Sequence, residues 1–382
     1  MHASDLQTTP WVSPQAHDQP DQRDSAGRIL WIDVARGICM LLVVCMHFDE
    51  MLFSRIVSFA PAEKMWDVLS SAARPARIPA FFLLSGLLAS SSLMRPLSAV
   101  FEKRMLIQYY AFVVWSFIHL LAMSVIFWNP TKDVLAGALI AFAARNISNL
   151  VWPMTQVWFL FALPVFFALA WLTRGMPKTV LTVSLVVSCF SQLVDDTTLS
   201  LMLRSFAFFL IGCHFPLFVK RVALGSRPFY LISLLGAYAT AVALILVLGE
   251  EVPGIWLPAT IFGIALVICV SAILQRTVLG SLLAFIGKRT LPIYVLHGLL
   301  LLIIGHLLGG YQLPGGSSFW NAVQLAFPPI GIVGLVSLCL FLHAGLMKVG
   351  AEWLFTVPDW LKTFADRRVQ GACNLISGRA AA

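Results

Sequence analysis

The chain has 382 residues, of which 59% are hydrophobic and only 12% charged, with a formal net charge of +8. Soluble domains run at about 45–50% apolar and about 25% charged residues, so this composition excludes a water-soluble globule, whose surface must stay polar. It fits a chain folded in a bilayer, where each crossing takes roughly 20 apolar residues as a helix that satisfies its own backbone. The 26 Lys and Arg are spread along the chain and form no basic patch, which excludes a nucleic-acid partner.

In chain order, residues 1–27 are polar, carry Asp5, Asp18, Asp21 and Asp24 with Pro10, Pro14 and Pro20, and contain no apolar core of a signal peptide. They predict a disordered cytoplasmic leader (1–28). Apolar runs then predict membrane helices near 29–48, 77–95, 104–128, 149–172 and 178–195. Five more follow near 199–219, 229–248, 255–275, 289–309 and 326–347. The stretch 133–144 is apolar but too short to span. The fold class is therefore all-α, a polytopic integral membrane protein of about ten transmembrane helices. A membrane domain covers 29–348 and a cytoplasmic tail covers 349–382. The seven cysteines form no C-x-x-C pair, so neither a disulfide framework nor a metal site is expected.

Basic residues collect on the cytoplasmic side of membrane proteins. With the N-terminus inside, the cytoplasmic segments hold 18 Lys and Arg, among them Arg95, Lys103, Arg104, Lys288 and Arg289, and the outer segments hold six. An even helix number then places both termini in the cytoplasm. Two arginines, Arg36 and Arg204, remain within spans. Charge in hydrocarbon costs several kcal/mol, so such residues face the bundle interior and are functional candidates.

The first helix reads RILWIDVARGICMLLVVCMHF. An offset of 11 residues separates Arg36 from His47, which is three turns plus about 20° at 3.6 residues per turn, and about 16 Å of rise. The two side chains share one face and can line one shaft without gripping the same atom. The simpler alternative pairs Arg36 with Asp33 and leaves His47 bonded within the bundle.

The segment IDVARGICMLLVVCMH resembles the first helix of the acyltransferase-3 family, marked by an arginine, ten residues and a histidine. Further segments follow in that family's order. RIPAFFLLSGLLAS is similar to its second helix, FEKRMLIQYY to the basic opening of its third, and QVWFLFALP to its WFL segment. RSFAFFLIGCHF and FIGKRTLPIYVLHGLL are similar to two later helices. The likeness runs from about 29 to 348.

The resemblance implies transfer of an acyl group, acetyl or succinyl, from cytoplasmic acyl-CoA as co-substrate to a hydroxyl of a cell-envelope saccharide or similar acceptor. No permanently bound cofactor is implied, and the location would be the inner (cytoplasmic) membrane. The family arginine and histidine map to Arg36 and His47. His47 is then the general base, since its ordinary pKa lies near neutrality and the acceptor hydroxyl must lose a proton. Arg77 and Arg204 offer planar cationic donors for the oxyanion or an acidic sugar. Glu50 either orients His47 or is a solvated helix end. By depth, His47, Arg77, Gln156, Trp158 and Arg204 fall toward the outside. Asp33, Arg36, Lys103, Arg104, Lys288 and Arg289 fall toward the inside, with Ser85, Tyr294 and His297 between. Lys103, Arg104, Trp158, Ser85, Tyr294 and His297 are the expected substrate contacts, although Ser85-Gly86 also reads as a site of close helix packing. The rival reading is a transporter or flippase using Arg36 and His47 as a proton or anion relay. The absence of an internal repeat counts against it.

Overall fold

The computed structural model describes residues 29–96, 102–128 and 135–363, which are helical with short connections. The expected leader and residues 364–382 of the expected tail lie outside the described residues. The main helices are α1 (Leu30–Phe48), α2 (Ala60–Ala72), α3 (Arg74–Leu93), α4 (Ile107–Ile126), α5 (Leu135–Val151), α6 (Trp158–Leu172) and α7 (Pro177–Cys189). They continue as α8 (Thr197–His214), α9 (Pro216–Leu224), α10 (Pro228–Leu248), α11 (Trp256–Leu274), α12 (Val278–Gly287), α13 (Thr290–Leu307) and α14 (Ser318–Lys348).

Among the described residues, eight helical segments are long and apolar enough to cross a membrane. Two of the expected spans, 149–172 and 178–195, form the shorter helices α6 and α7. The first is cut short because Trp152–Val157 is a turn, with the Asn149 carboxamide accepting from the Met154 amide at 2.8 Å. Two helices stand where the sequence predicts connections. α2 begins with Pro61 in its first turn, where the missing N–H is harmless, and runs almost without break into α3. α12 has 10 residues, too few to span.

α1 is the hub and packs against α3, α11, α12, α13 and α14. One of them, α12, approaches through a glycine on each helix. A Cβ on Gly37 would strike the Leu283 carbonyl of α12, and one on Gly287 would strike the Asp33 carbonyl of α1. The α3–α8 contact is built the same way from Gly86 and Gly212, each facing the other helix's backbone. Without a hydrophobic drive between helices in lipid, such small residues are how backbones come close enough to attract.

α14 starts eight residues earlier than the sequence predicts. Ser317 caps it by accepting from the Trp320 amide at 3.3 Å, and fully buried Gln324 anchors its first turns. The Gln324 carbonyl accepts from the Ser58 and Phe59 amides at 2.8 Å each, and its NH₂ donates to Ser58 Oγ and Pro314 O. The first part of the expected tail is docked as well. Trp115 Nε1 donates to Leu354 O at 2.7 Å, and Phe355 is buried against Trp115.

Candidate active site

A cavity of about 340 Å³ lies between α1, α3, α6, α13 and the first turns leading into α4. Helical periodicity explains its walls. From α1 come Arg36, Met40 and Val43, at steps of four and three, and from α3 come Ile78, Phe81, Ser85 and Leu88 at steps of three, four and three. Phe159, Leu160 and Leu163 of α6 and Thr290, Leu291 and Tyr294 of α13 close the other sides. Arg104 and Gln108, one turn apart, complete the lining. A small recess off the cavity is shared by Ser85, Arg104, Gln108 and Leu163.

The polar groups gather toward one end. Arg36 Nη2 donates to Thr290 Oγ1 at 2.7 Å, and Arg36 Nη1 lies 3.8 Å from Asp33 Oδ1. The pairing of Arg36 with Asp33 and its exposure to the cavity are thus both present. Arg104 donates from Nε to Ser92 Oγ at 3.2 Å and from Nη2 to Leu88 O at 2.7 Å, which fixes the guanidinium plane at the cavity wall. Ser85 Oγ donates to Phe81 O at 2.8 Å, the usual back-bond of a serine in a helix. Apart from Gln108 and Tyr294, the rest of the lining is apolar.

His47 continues the α1 stripe one turn beyond Val43. It does not line the cavity; its ring sits 5.3 Å from that of His297, which in turn is 5.9 Å from Tyr294 on the cavity wall. The Tyr294 hydroxyl donates to Gln156 O at 2.7 Å and accepts from the Phe159 amide at 3.2 Å. Tyr294 therefore contributes its ring to the cavity while its hydroxyl pins the start of α6. Gln156 Nε2 donates to Met51 Sδ, placing this segment beside the turn after α1.

Arg77 is 5% exposed and donates to Met46 Sδ and, at 3.4 Å, to Ser70 O, with its Nε unpartnered. It lies close enough to His47 and Glu50 for the charges to interact. Glu50 is exposed and makes no side-chain hydrogen bond to His47. Arg204 is elsewhere. Its guanidinium stacks 4.4 Å over the Trp256 ring and its Nε donates to Ser191 Oγ at 3.4 Å, between α7, α8 and α11. Trp158 packs on Phe82 and Phe159, and it is Phe159 that faces the cavity. Lys288 and Arg289 are exposed, Arg289 lying over Phe285. The side chain of Lys103 is outside the described residues.

The structure thus brings together Arg36, Ser85, Arg104 and Tyr294, with His47 and His297 adjoining, and leaves Arg204 and Trp158 apart. Thr290, Gln108 and Phe159 join the lining unforeseen. Gln108 was legible as the residue one turn after Arg104; nothing in the sequence singled out Thr290. Among the described residues no cluster of His, Cys, Asp or Glu can hold a metal ion.

Comparison with curated proteins and with solved structures finds no match. A family model described as an acyltransferase domain, that of the acyltransferase-3 family, matches residues 29–344, which takes in every wall of the cavity and both histidines. The chain belongs to this family and is a membrane acyltransferase.

Proposed function

We propose that the protein transfers an acyl group from cytoplasmic acyl-CoA to a hydroxyl of a cell-envelope saccharide, with the donor's acyl-pantetheine arm in the cavity. The observation that carries this reading is the cavity's polarity: Arg36 and Arg104 at one end, apolar walls beyond, and His47 next to the far end. Basic residues dominate the segments at the Arg36 end, which supports a cytoplasmic face there, and the family resemblance favours the inner membrane. Arg36 and Arg104 meet the anionic phosphates as charge-assisted donors. Ser85 and Gln108 serve the amides of the arm, and Phe159, Leu160 and Leu163 cover its methylenes. Water is excluded from the thioester by the same walls.

His47 takes the proton of the acceptor hydroxyl as its oxygen bonds to the acyl carbon. The carbon–sulfur bond breaks, and the CoA thiolate receives the proton from His47. Arg77, beside Met46 and within electrostatic reach of His47, stabilises the oxyanion.

The test is binding and turnover of acetyl-CoA and succinyl-CoA by the purified protein. Loss of one charge-assisted contact, about 1.5–3 kcal/mol, weakens binding by roughly 10- to 100-fold in Arg36→Ala. His47→Ala keeps binding within about threefold and loses turnover by about 10³-fold. A folded wild-type protein that binds no acyl-CoA overturns this reading of the donor.

A further inference from the structure

His297 is 1% exposed, at the contact of α13 with α1. Its Nδ1 lies 2.9 Å from the carbonyl of Ile293, one turn back on its own helix. A carbonyl only accepts, so Nδ1 carries the proton and Nε2 keeps its lone pair. That Nε2 is buried with no hydrogen-bond partner. An orphaned acceptor in a span is costly, and its persistence points to a partner acquired during function.

The ring packed against that of His297 is His47. The ring centroids are 5.3 Å apart at a tilt of 39°. Two imidazoles joined by one N–H···N bond of about 2.9 Å have centroids roughly 5.2 Å apart. The rings thus stand at bonding separation, and a turn of the His47 ring aligns them. Among the described residues neither His47 ring nitrogen is hydrogen-bonded, so no such bond opposes that turn. Bonds of this kind are often loose before substrate binds. The neighbouring His119 has its Nε2 engaged with Val295 O at 2.9 Å.

We propose that His297 is the positioning residue for His47: its Nε2 accepts the His47 N–H and so turns the other His47 nitrogen toward the acceptor hydroxyl. This rests on His47 being the base. When the hydroxyl proton moves to His47 and its oxygen bonds to the acyl carbon, the imidazolium is held by the bond to His297. His47 then returns the proton to the thiolate released by carbon–sulfur cleavage, and His297 ends as it began. A carboxylate performs this duty in serine hydrolase triads. A neutral imidazole does so within a span without burying an anion.

The experiment compares kcat and KM for acetyl-CoA in His297→Ala, His297→Asn, His297→Gln and Val295→Ala. His297→Ala and His297→Asn lose about 100-fold in kcat with KM within threefold, since Asn reaches the Nδ1 position but not that of Nε2. His297→Gln, whose carbonyl reaches the Nε2 position, recovers at least tenfold. Val295→Ala, a fully buried neighbour about 200° round the helix from His297, stays within threefold and controls for packing. The inference falls if His297→Ala retains kcat within threefold, if Gln restores nothing, or if Val295→Ala loses as much. A wild type with no transfer would instead sink the proposed function, which keeps the two failures apart.

Discussion

Substituting alanine for Gly86 or Gly212 tests the geometry that holds α3 at the cavity. A Cβ on Gly212 would penetrate the Leu83 carbonyl and lie 2.6 Å from the Leu87 amide nitrogen and 3.0 Å from Gly86 C. One on Gly86 would penetrate the Phe209 carbonyl and lie 3.1 Å from the Cys213 nitrogen. Ordinary contact begins near 3.4 Å, and backbone atoms cannot rotate aside, so the helices must part by roughly 1 Å. Overpacking of this kind costs about 1–3 kcal/mol, and here the interface is continuous, so we expect about 2–3 kcal/mol for each. Parting the helices accommodates both methyls at once. The double variant should therefore cost at least about 1 kcal/mol less than the sum, as coupled neighbours do. Gly236→Ala, with nothing within 4 Å of its Cβ on α10, serves as the control and should be neutral or stabilising by up to about 1 kcal/mol. Thermal unfolding in detergent should show each single variant about 4–6 °C below wild type. Because Ser85 adjoins Gly86, KM for acyl-CoA should rise as well. Single variants indistinguishable from Gly236→Ala, or strictly additive losses, would refute the reasoning.

Two further outcomes follow from the packing. Arg204→Ala removes the stack on Trp256 and the bond to Ser191, so it should lower stability by about 1–2 kcal/mol. It should leave acyl-CoA affinity within about twofold by titration, because the residue does not reach the cavity; a tenfold weaker Kd would place it in the donor site. Gln324→Leu leaves the Ser58 and Phe59 amides without their acceptor and should cost about 2–4 kcal/mol, read as a fall in unfolding temperature. Unchanged stability would mean that those amides find water.

The resemblance of the sequence to a membrane acyltransferase proves right across residues 29–344. The all-α membrane class was legible because hydrocarbon tolerates few backbone solutions, so composition alone nearly decides it. The shared face of Arg36 and His47 was legible for an equally local reason: 3.6 residues per turn fixes azimuth within one helix, and the α1 stripe through Met40 and Val43 follows it.

What the sequence left open lies between helices. That α3 meets α8 through Gly86 and Gly212 depends on which two small residues face each other, and periodicity within either helix does not say. The pairing of His47 with His297 joins residues 250 positions apart in the numbering, and Arg36 finds Thr290 across a similar separation. Arg204 shows the converse. Its depth in a span marked it as functional, and only the tertiary structure turned it onto Trp256. By itself the sequence determined the solvent, most of the long helices and the faces they offer, since those follow from local chemistry. Which faces meet, and hence which polar groups share a cavity, was decided by close packing among many helices at once, a property that no single stretch of chain contains.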